Sequence, residues 1–276
     1  MKKTPVIPAS LFLLCHLTAV SQHIVTGKVI DGRTKEALPF VNIGIWQKNT
    51  GAISQKDGTF SISIPDSLTG NSLTFSLPGY TTLSLPVKQL PDNGHTTIAM
   101  SLKERQLASV TVYSKKISAR KLGPGSKRSL LHFTDGSTNQ NDIFEIAQLI
   151  RLDTALSKII SVNLKLTDAR KDSGTFRINF YQFDGQRPSA RMLEQNIIQT
   201  HQLEPGWLKF DLSAENIYLR GDVIVAIEFI PSQHKNSGPI HYEIKPGGRA
   251  SSFVRSQSQG QWRVPPHQYM VYVTAL

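Results

Sequence analysis

Short runs in which apolar and polar residues alternate recur along most of the chain, and they constrain the fold more than any other feature. Phe60-Ser61-Ile62-Ser63-Ile64, Leu73 to Leu77, Thr97 to Leu102, Ser161 to Leu166 and Thr175 to Phe183 all show the pattern. Successive side chains of a strand point to opposite faces, so each run predicts a strand with one buried face. Turn residues separate the runs at intervals of about ten residues, the rhythm of a β-sandwich. Asp57-Gly58 is expected to turn a hairpin, because glycine accepts the positive φ such a turn needs. Asp222 to Ile230 is almost continuously apolar after its first residue and predicts a central strand covered on both faces. One short helix is expected over Ile143–Ile150, where Ile143, Ile146, Ala147 and Ile150 follow a 3,4 spacing.

Residues 1–21 read as a secretory signal peptide. Lys2 and Lys3 form a positive start, Leu11 to Cys15 lies in a short apolar stretch, and Ala19-Val20-Ser21 offers small residues for cleavage before Gln22. The apolar stretch is too short for a permanent membrane helix. Cys15 is the only cysteine. If it leaves with the signal, disulfides, thiolate metal sites and cysteine nucleophiles are excluded.

The formal net charge of +11 is unevenly spread. Residues 22–102 and 129–276 are each close to neutral, whereas residues 103–128 hold eight Lys/Arg and one Asp/Glu. Residues 113–128 therefore read as a basic, Gly- and Pro-containing linker between domains at 22–112 and 129–276. Lys115, Lys116, Arg120, Lys121, Lys127 and Arg128 are its candidate contacts to an anionic outer-membrane surface. No nucleic-acid partner is expected, since export removes the usual one and Tyr113 is the only aromatic among these charges.

A particular order of residues runs through the first domain. Ile24-Val25-Thr26-Gly27-Lys28-Val29 opens it, Ala37-Leu38-Pro39-Phe40-Val41-Asn42-Ile43 follows, then Gln55-Lys56-Asp57-Gly58-Thr59-Phe60, Leu77-Pro78-Gly79-Tyr80 and Leu107 to Val112. This order resembles the carboxypeptidase-regulatory-like domain of Bacteroidetes-type exported proteins. The resemblance implies an all-β chain whose first domain is a transthyretin (prealbumin)-like Greek-key sandwich. It also implies an export compartment and a docking or spacer role, as in the module that precedes TonB-dependent receptors. About 150 residues after the linker are too few for the roughly 22 strands of such a receptor's barrel. The second domain is similar, in general order only, to jelly-roll-like sandwiches.

Enzyme signatures such as His-Glu-x-x-His, Gly-x-Ser-x-Gly or a phosphate-binding glycine loop are missing from the sequence. His234, His241 and Glu243 could belong to a metal site, and Asp211, Glu215 and Asp222 to a calcium site. Neither set has a ligand-rich loop, so no metal or other cofactor is expected. Aromatic side chains are the best ligand candidates: Trp262 on a polar loop, with Tyr269 and Trp207. The expected function is that of a non-enzymatic, exported cell-envelope accessory protein in the periplasm or at the outer membrane. Its second sandwich would bind an envelope protein or a glycan. A glycan-binding surface protein and a hydrolase with an unrecognised site are the alternatives, and the oligomeric state stays open.

Overall fold

The computed structural model describes residues 22–104, 118–125, 132–135, 142–169, 173–231, 240–247 and 251–276. The signal segment and Lys115, Lys116, Lys127, Arg128 and His234 lie outside them.

Among the described residues the first domain has seven strands: β1 (Gln22–Asp31), β2 (Asn42–Ile45), β3 (Thr50–Ile53), β4 (Thr59–Pro65), β5 (Ser72–Ser76), β6 (Leu83–Pro86) and β7 (His95–Met100). They form two sheets, ordered β4-β1-β7 and β3-β2-β5-β6. Alternation decides which side chains fill the space between them. Val25 and Val29 of β1, Phe60, Ile62 and Ile64 of β4, and Ile43, Phe75, Ile98 and Met100 are all buried in one core. Phe60 meets Phe75 edge-on, with ring centroids 5.6 Å apart. Asp57-Gly58 does turn the chain, with Gly58 at φ +80°. It does not close a hairpin, because β3 and β4 belong to different sheets. The turn carries the chain across the sandwich.

The second domain begins with β8 (Arg120–Leu122) and β9 (His132–Asp135), followed by β10 (Phe144–Arg151), β11 (Ser157–Ala169) and β12 (Ser173–Phe183). Next come β13 (Pro188–Arg191), β14 (Ile197–Gln202), β15 (Gly206–Asp211), β16 (Ile217–Leu219) and β17 (Asp222–Ile230). The chain closes with β18 (Ile240–Pro246), β19 (Ser252–Arg255), β20 (His267–Tyr269) and β21 (Val271–Ala275). One sheet runs β13-β12-β17-β10-β19 with β14 also on β12, and the other is built around β20-β18-β11-β21-β8. Phe176, Ile178 and Phe180 point inward from β12, as their alternation requires, against Val225, Ile227, Phe210 and Val273. The chain is thus all-β, with two sandwiches.

Two local expectations change. Ile143–Ile150 contains no helix; Phe144–Arg151 is a strand paired with both β17 and β19. Every residue from Phe144 to Ile150 is buried, and a strand covered on both faces has no period of two to betray it. Arg120 and Lys121 are not free linker residues either. Arg120, Lys121 and Leu122 pair in register with Ala275, Thr274 and Val273. The guanidinium of Arg120 binds Asp153 at 2.6 Å, and the Lys121 ammonium lies 5.1 Å from the Tyr272 ring centroid.

Candidate functional site

The sheet containing β12, β17, β10 and β19 sends one set of side chains into its own sandwich and the other set toward the first domain. On that second face, Arg177, Glu228, Glu145 and Arg255 stand opposite one another on successive strands. They form a transverse row of charges, cation–anion–anion–cation. Arg177, Glu228 and Glu145 are fully buried, and Arg255 is nearly so. Desolvated charges are tolerable only when paired and hydrogen-bonded. Arg177 binds Glu228 at 2.6 Å and Arg255 binds Glu145 at 2.5 Å. The Asn179 amide donates to both carboxylates, at 2.8 Å to Glu145 and 3.1 Å to Glu228, which holds the two like charges in place. Burial, the largest single cause, pulls the Arg255 pKa down, but Glu145, Tyr181 and Glu228 together outweigh it and raise it.

The first domain completes this network. Asn42, on β2, donates to Glu228 at 3.1 Å and accepts from Arg177 at 3.3 Å. The Phe40 carbonyl accepts from Arg177 at 2.5 Å. Beside the charges lies a small apolar contact, in which Ile53 and Phe40 meet Ile143, Ile230 and Ile198.

A second attachment depends on missing side chains. Gly44 and Gly51 face each other across β2 and β3. A Cβ on Gly44 would come within 2.4 Å of the Ser258 carbonyl oxygen, and one on Gly51 within 2.4 Å of an Asp142 carboxylate oxygen. The pair leaves a bare patch on which the 256–261 loop rests. The amide of Gln47 donates to the Gln259 carbonyl at 2.8 Å, and the Gln259 side chain donates to Ser76 Oγ at 2.7 Å. Asp142 holds the loop from behind, accepting from the Ser258 amide at 2.8 Å and its hydroxyl at 2.6 Å. Burial pushes the Asp142 pKa up to about 7, against these hydrogen bonds. A third attachment is Glu194, which accepts from the Gly79 amide at 3.3 Å and pairs with the Lys103 ammonium.

Between the loop attachment and the Glu194 attachment the two domains leave a cleft of about 1040 Å³. Its first-domain floor is the outward face of β5 and β6, which carries hydroxyls. Thr74 and Ser84 are paired across the strands with 3.0 Å between their oxygens, and Ser76 is beside them. Trp46 rises from the β2–β3 turn and is 63% exposed. Trp262 faces the cleft from the second domain. Its indole packs edge-on against Tyr181 at 5.8 Å, and the Arg255 guanidinium lies 4.7 Å from its centroid. The Tyr181 hydroxyl donates to Glu145 at 3.1 Å, and burial, with Glu145 second, raises its pKa to about 12. Arg187 and Arg191 also line this wall.

Of the three aromatic candidates, the structure places only Trp262 here. Tyr269 is 1% exposed and packs in the sandwich core beside Tyr242, so it offers no face to a ligand. Trp207 is on the outside of the other sheet, edge-on to Tyr272 at 4.6 Å, with the Lys165 ammonium 5.8 Å from its centroid. Among the described residues no three His, Cys, Asp or Glu side chains group as metal ligands. Glu243 pairs with Lys165 at 2.9 Å. Asp211 caps its own turn; the Ser213 amide is the main cause that lowers its pKa to about 2.

The class defined so far is a two-sandwich β protein with an aromatic- and arginine-lined cleft between its domains. Residues 25–112 match the CarboxypepD_reg-like domain, and the first sandwich is such a domain. No curated protein matches the chain. Among solved structures, a clostridial cysteine protease, Cwp84 after propeptide cleavage, is 8% identical over 94% of this chain and 72% of that one, with a TM-score of 0.42. The cysteine protease and lectin-like domains of Cwp84, a surface-layer-associated protein of Clostridium difficile, are 8% identical over 92% and 58%, also at 0.42. A structure of infectious bursal disease virus, Gt strain, is 10% identical over 93% and 55%, at 0.27.

Proposed function

We propose that this is a non-enzymatic, exported accessory protein of the cell envelope, and that it binds a glycan in the cleft between its two domains. The observation that carries the reading is the pair of cleft tryptophans, Trp46 and Trp262, contributed by different domains beside a hydroxyl-bearing sheet face. Indole faces stack on the C–H faces of sugar rings, and hydroxyls and guanidinium groups exchange hydrogen bonds with sugar hydroxyls. A concave site at a domain boundary is also where ligands collect. The carboxylates nearest the cleft support a binding role rather than hydrolysis. Of the two that line it, Glu194 is paired with Lys103 and Asp184 accepts from the amides of its own turn, and these bonds hold both carboxyls below their ordinary pKa, whereas a glycosidase needs one carboxyl kept protonated as its acid. The regulatory-like domain would then serve as the docking side of the molecule, as its resemblance implies, with export resting on residues 1–21.

The test is glycan-array binding and affinity electrophoresis of residues 22–276, compared with Trp46→Ala and Trp262→Ala. Trp46 is exposed enough that its removal leaves the fold intact. Saturable binding to a saccharide, weakened at least about tenfold in both variants, would support the reading; a stacked aromatic contributes about that much. Binding that survives both substitutions would place the ligand elsewhere. If no saccharide is retained, the glycan reading fails and an envelope protein becomes the candidate partner for crosslinking.

A further inference from the structure

Among the described residues, the buried and half-buried charges around the cleft are paired, with one exception. Arg255 is matched by Glu145 and Lys103 by Glu194. Deeper in, Arg177 is matched by Glu228. At the rim, Arg187 is exposed to solvent, and it is its backbone amide, not its guanidinium, that bonds to Asp184. Arg191 has no such match: among the described residues it forms no ion pair. It ends the edge strand β13, opposite Tyr181 in register. Its guanidinium lies 5.8 Å from the Tyr181 ring centroid and lines the cleft.

Tyr181 gives Arg191 a cation–π contact and a side-chain hydrogen bond, and Glu228 and Glu145 act on its charge only from a distance. No carboxylate of the described residues sits against its N–H edge. The forked N–H edge of an arginine fits a planar carboxylate through two parallel hydrogen bonds, which a lysine cannot copy. From this we infer that the cleft selects an acidic glycan, with the carboxylate of a uronic acid seated on Arg191 while the neighbouring sugar ring stacks on Trp262. The inference rests on the glycan-binding reading of the same cleft and adds the ligand's charge. The cleft lining carries four cations, Lys103, Arg187, Arg191 and Arg255, against two carboxylates, Asp184 and Glu194, so the local field attracts the anion before contact.

The experiment uses residues 22–276 and three acidic hexasaccharides, from galacturonan, alginate and hyaluronan. Each is paired with its own carboxyl-reduced counterpart, which differs only in bearing –CH2OH in place of –COO⁻. Affinities are measured by titration calorimetry at fixed ionic strength for wild type, Arg191→Met and Arg191→Lys. At least one acidic probe should bind about tenfold or more tighter than its reduced form, the size of one charge-assisted hydrogen-bonded pair. Arg191→Met should bring the acidic probe down to the reduced one and leave the reduced probe's affinity unchanged. Arg191→Lys should keep only part of the preference. Raising the salt should shrink the preference in wild type. Equal affinity for acidic and reduced probes, with both lost in Trp262→Ala, would overturn the charge inference and leave the glycan reading standing. A preference that persists in Arg191→Met would overturn the role of Arg191. Failure of every probe, acidic and reduced, would overturn both.

Discussion

Replacing Arg177 with methionine isolates the transverse charge row from the rest of the interface. Methionine retains most of the apolar stem and removes the guanidinium. The substitution deletes the 2.6 Å ion pair to Glu228 and the bonds to Asn196 at 2.9 Å, Asn42 at 3.3 Å and the Phe40 carbonyl. Glu228 then stays buried beside Glu145, with two amides and no cation of its own. Removing one partner of a buried pair costs about 3–5 kcal/mol, because the other charge is left without compensation. In Arg177→Met/Glu228→Met both charges go, and the remaining loss is that of the amides that bonded to them, about 1–3 kcal/mol. The double variant should therefore be more stable than Arg177→Met alone. The assay is urea unfolding at pH 7.5, followed by tryptophan fluorescence and by far-ultraviolet circular dichroism. With a slope of about 1–3 kcal/mol per molar urea, the single substitution should lower the midpoint by roughly 1–2 M or more. A loss below about 1 kcal/mol in the single variant would refute the reasoning, as would a double variant less stable than the single.

Three other outcomes follow from the same contacts. The raised pKa of Asp142 means that the folded chain holds a proton there, between about pH 4 and pH 7, that the unfolded chain has released. This group's contribution to stability therefore falls as pH rises through that window, by at most a few kcal/mol, and a plot of urea midpoint against pH should be flatter for Asp142→Asn than for wild type. Gly44→Ala pushes a methyl into the Ser258 carbonyl, so the 256–261 loop must lift; unfolding should show a loss of about 1–3 kcal/mol, and any saccharide affinity that depends on Trp262 should fall with it. Because Arg120 and Lys121 are held on a strand against β21, trypsin should cut after them far more slowly in the native chain than in urea, as peptide mapping over time would show.

The strands of both sandwiches were legible because one-faced burial writes itself into alternation: Phe60, Ile62 and Ile64, and Phe176, Ile178 and Phe180, all point where that pattern says. Asp222 to Ile230 was legible for the complementary reason, since all but its first residue are buried. The same physics hid β10, whose covering on both faces imitates a helical spacing over so few residues. The interface was hidden differently. Arg177, Asn179 and Glu228 occupy the outward positions of their strands, and polar residues there read as a wet face until another domain covers them. What could have pointed to the contact is glycine inside a predicted strand: Gly44 sits between Ile43 and Ile45, where a missing side chain signals the close approach of another backbone. Trp262 was recognisable from its polar loop, whereas Tyr269 and Trp207 were not separable from it without knowing which face each strand presents. The pairing of residues 120–122 with the last strand joins segments some 150 residues apart and leaves no trace in local composition.

The facing glycines Gly44 and Gly51 also bear on how interchangeable this first domain is. Carboxypeptidase-regulatory-like domains resemble beads that can be threaded in front of many partners. Here the bead has been cut to fit: two bare positions, the Asn42 amide and the Phe40 carbonyl match one particular sandwich. A domain with side chains at these two positions would press them into Ser258 and Asp142. The cleft would then lose its shape even though both halves folded, so its geometry belongs to the pair of domains and not to either alone.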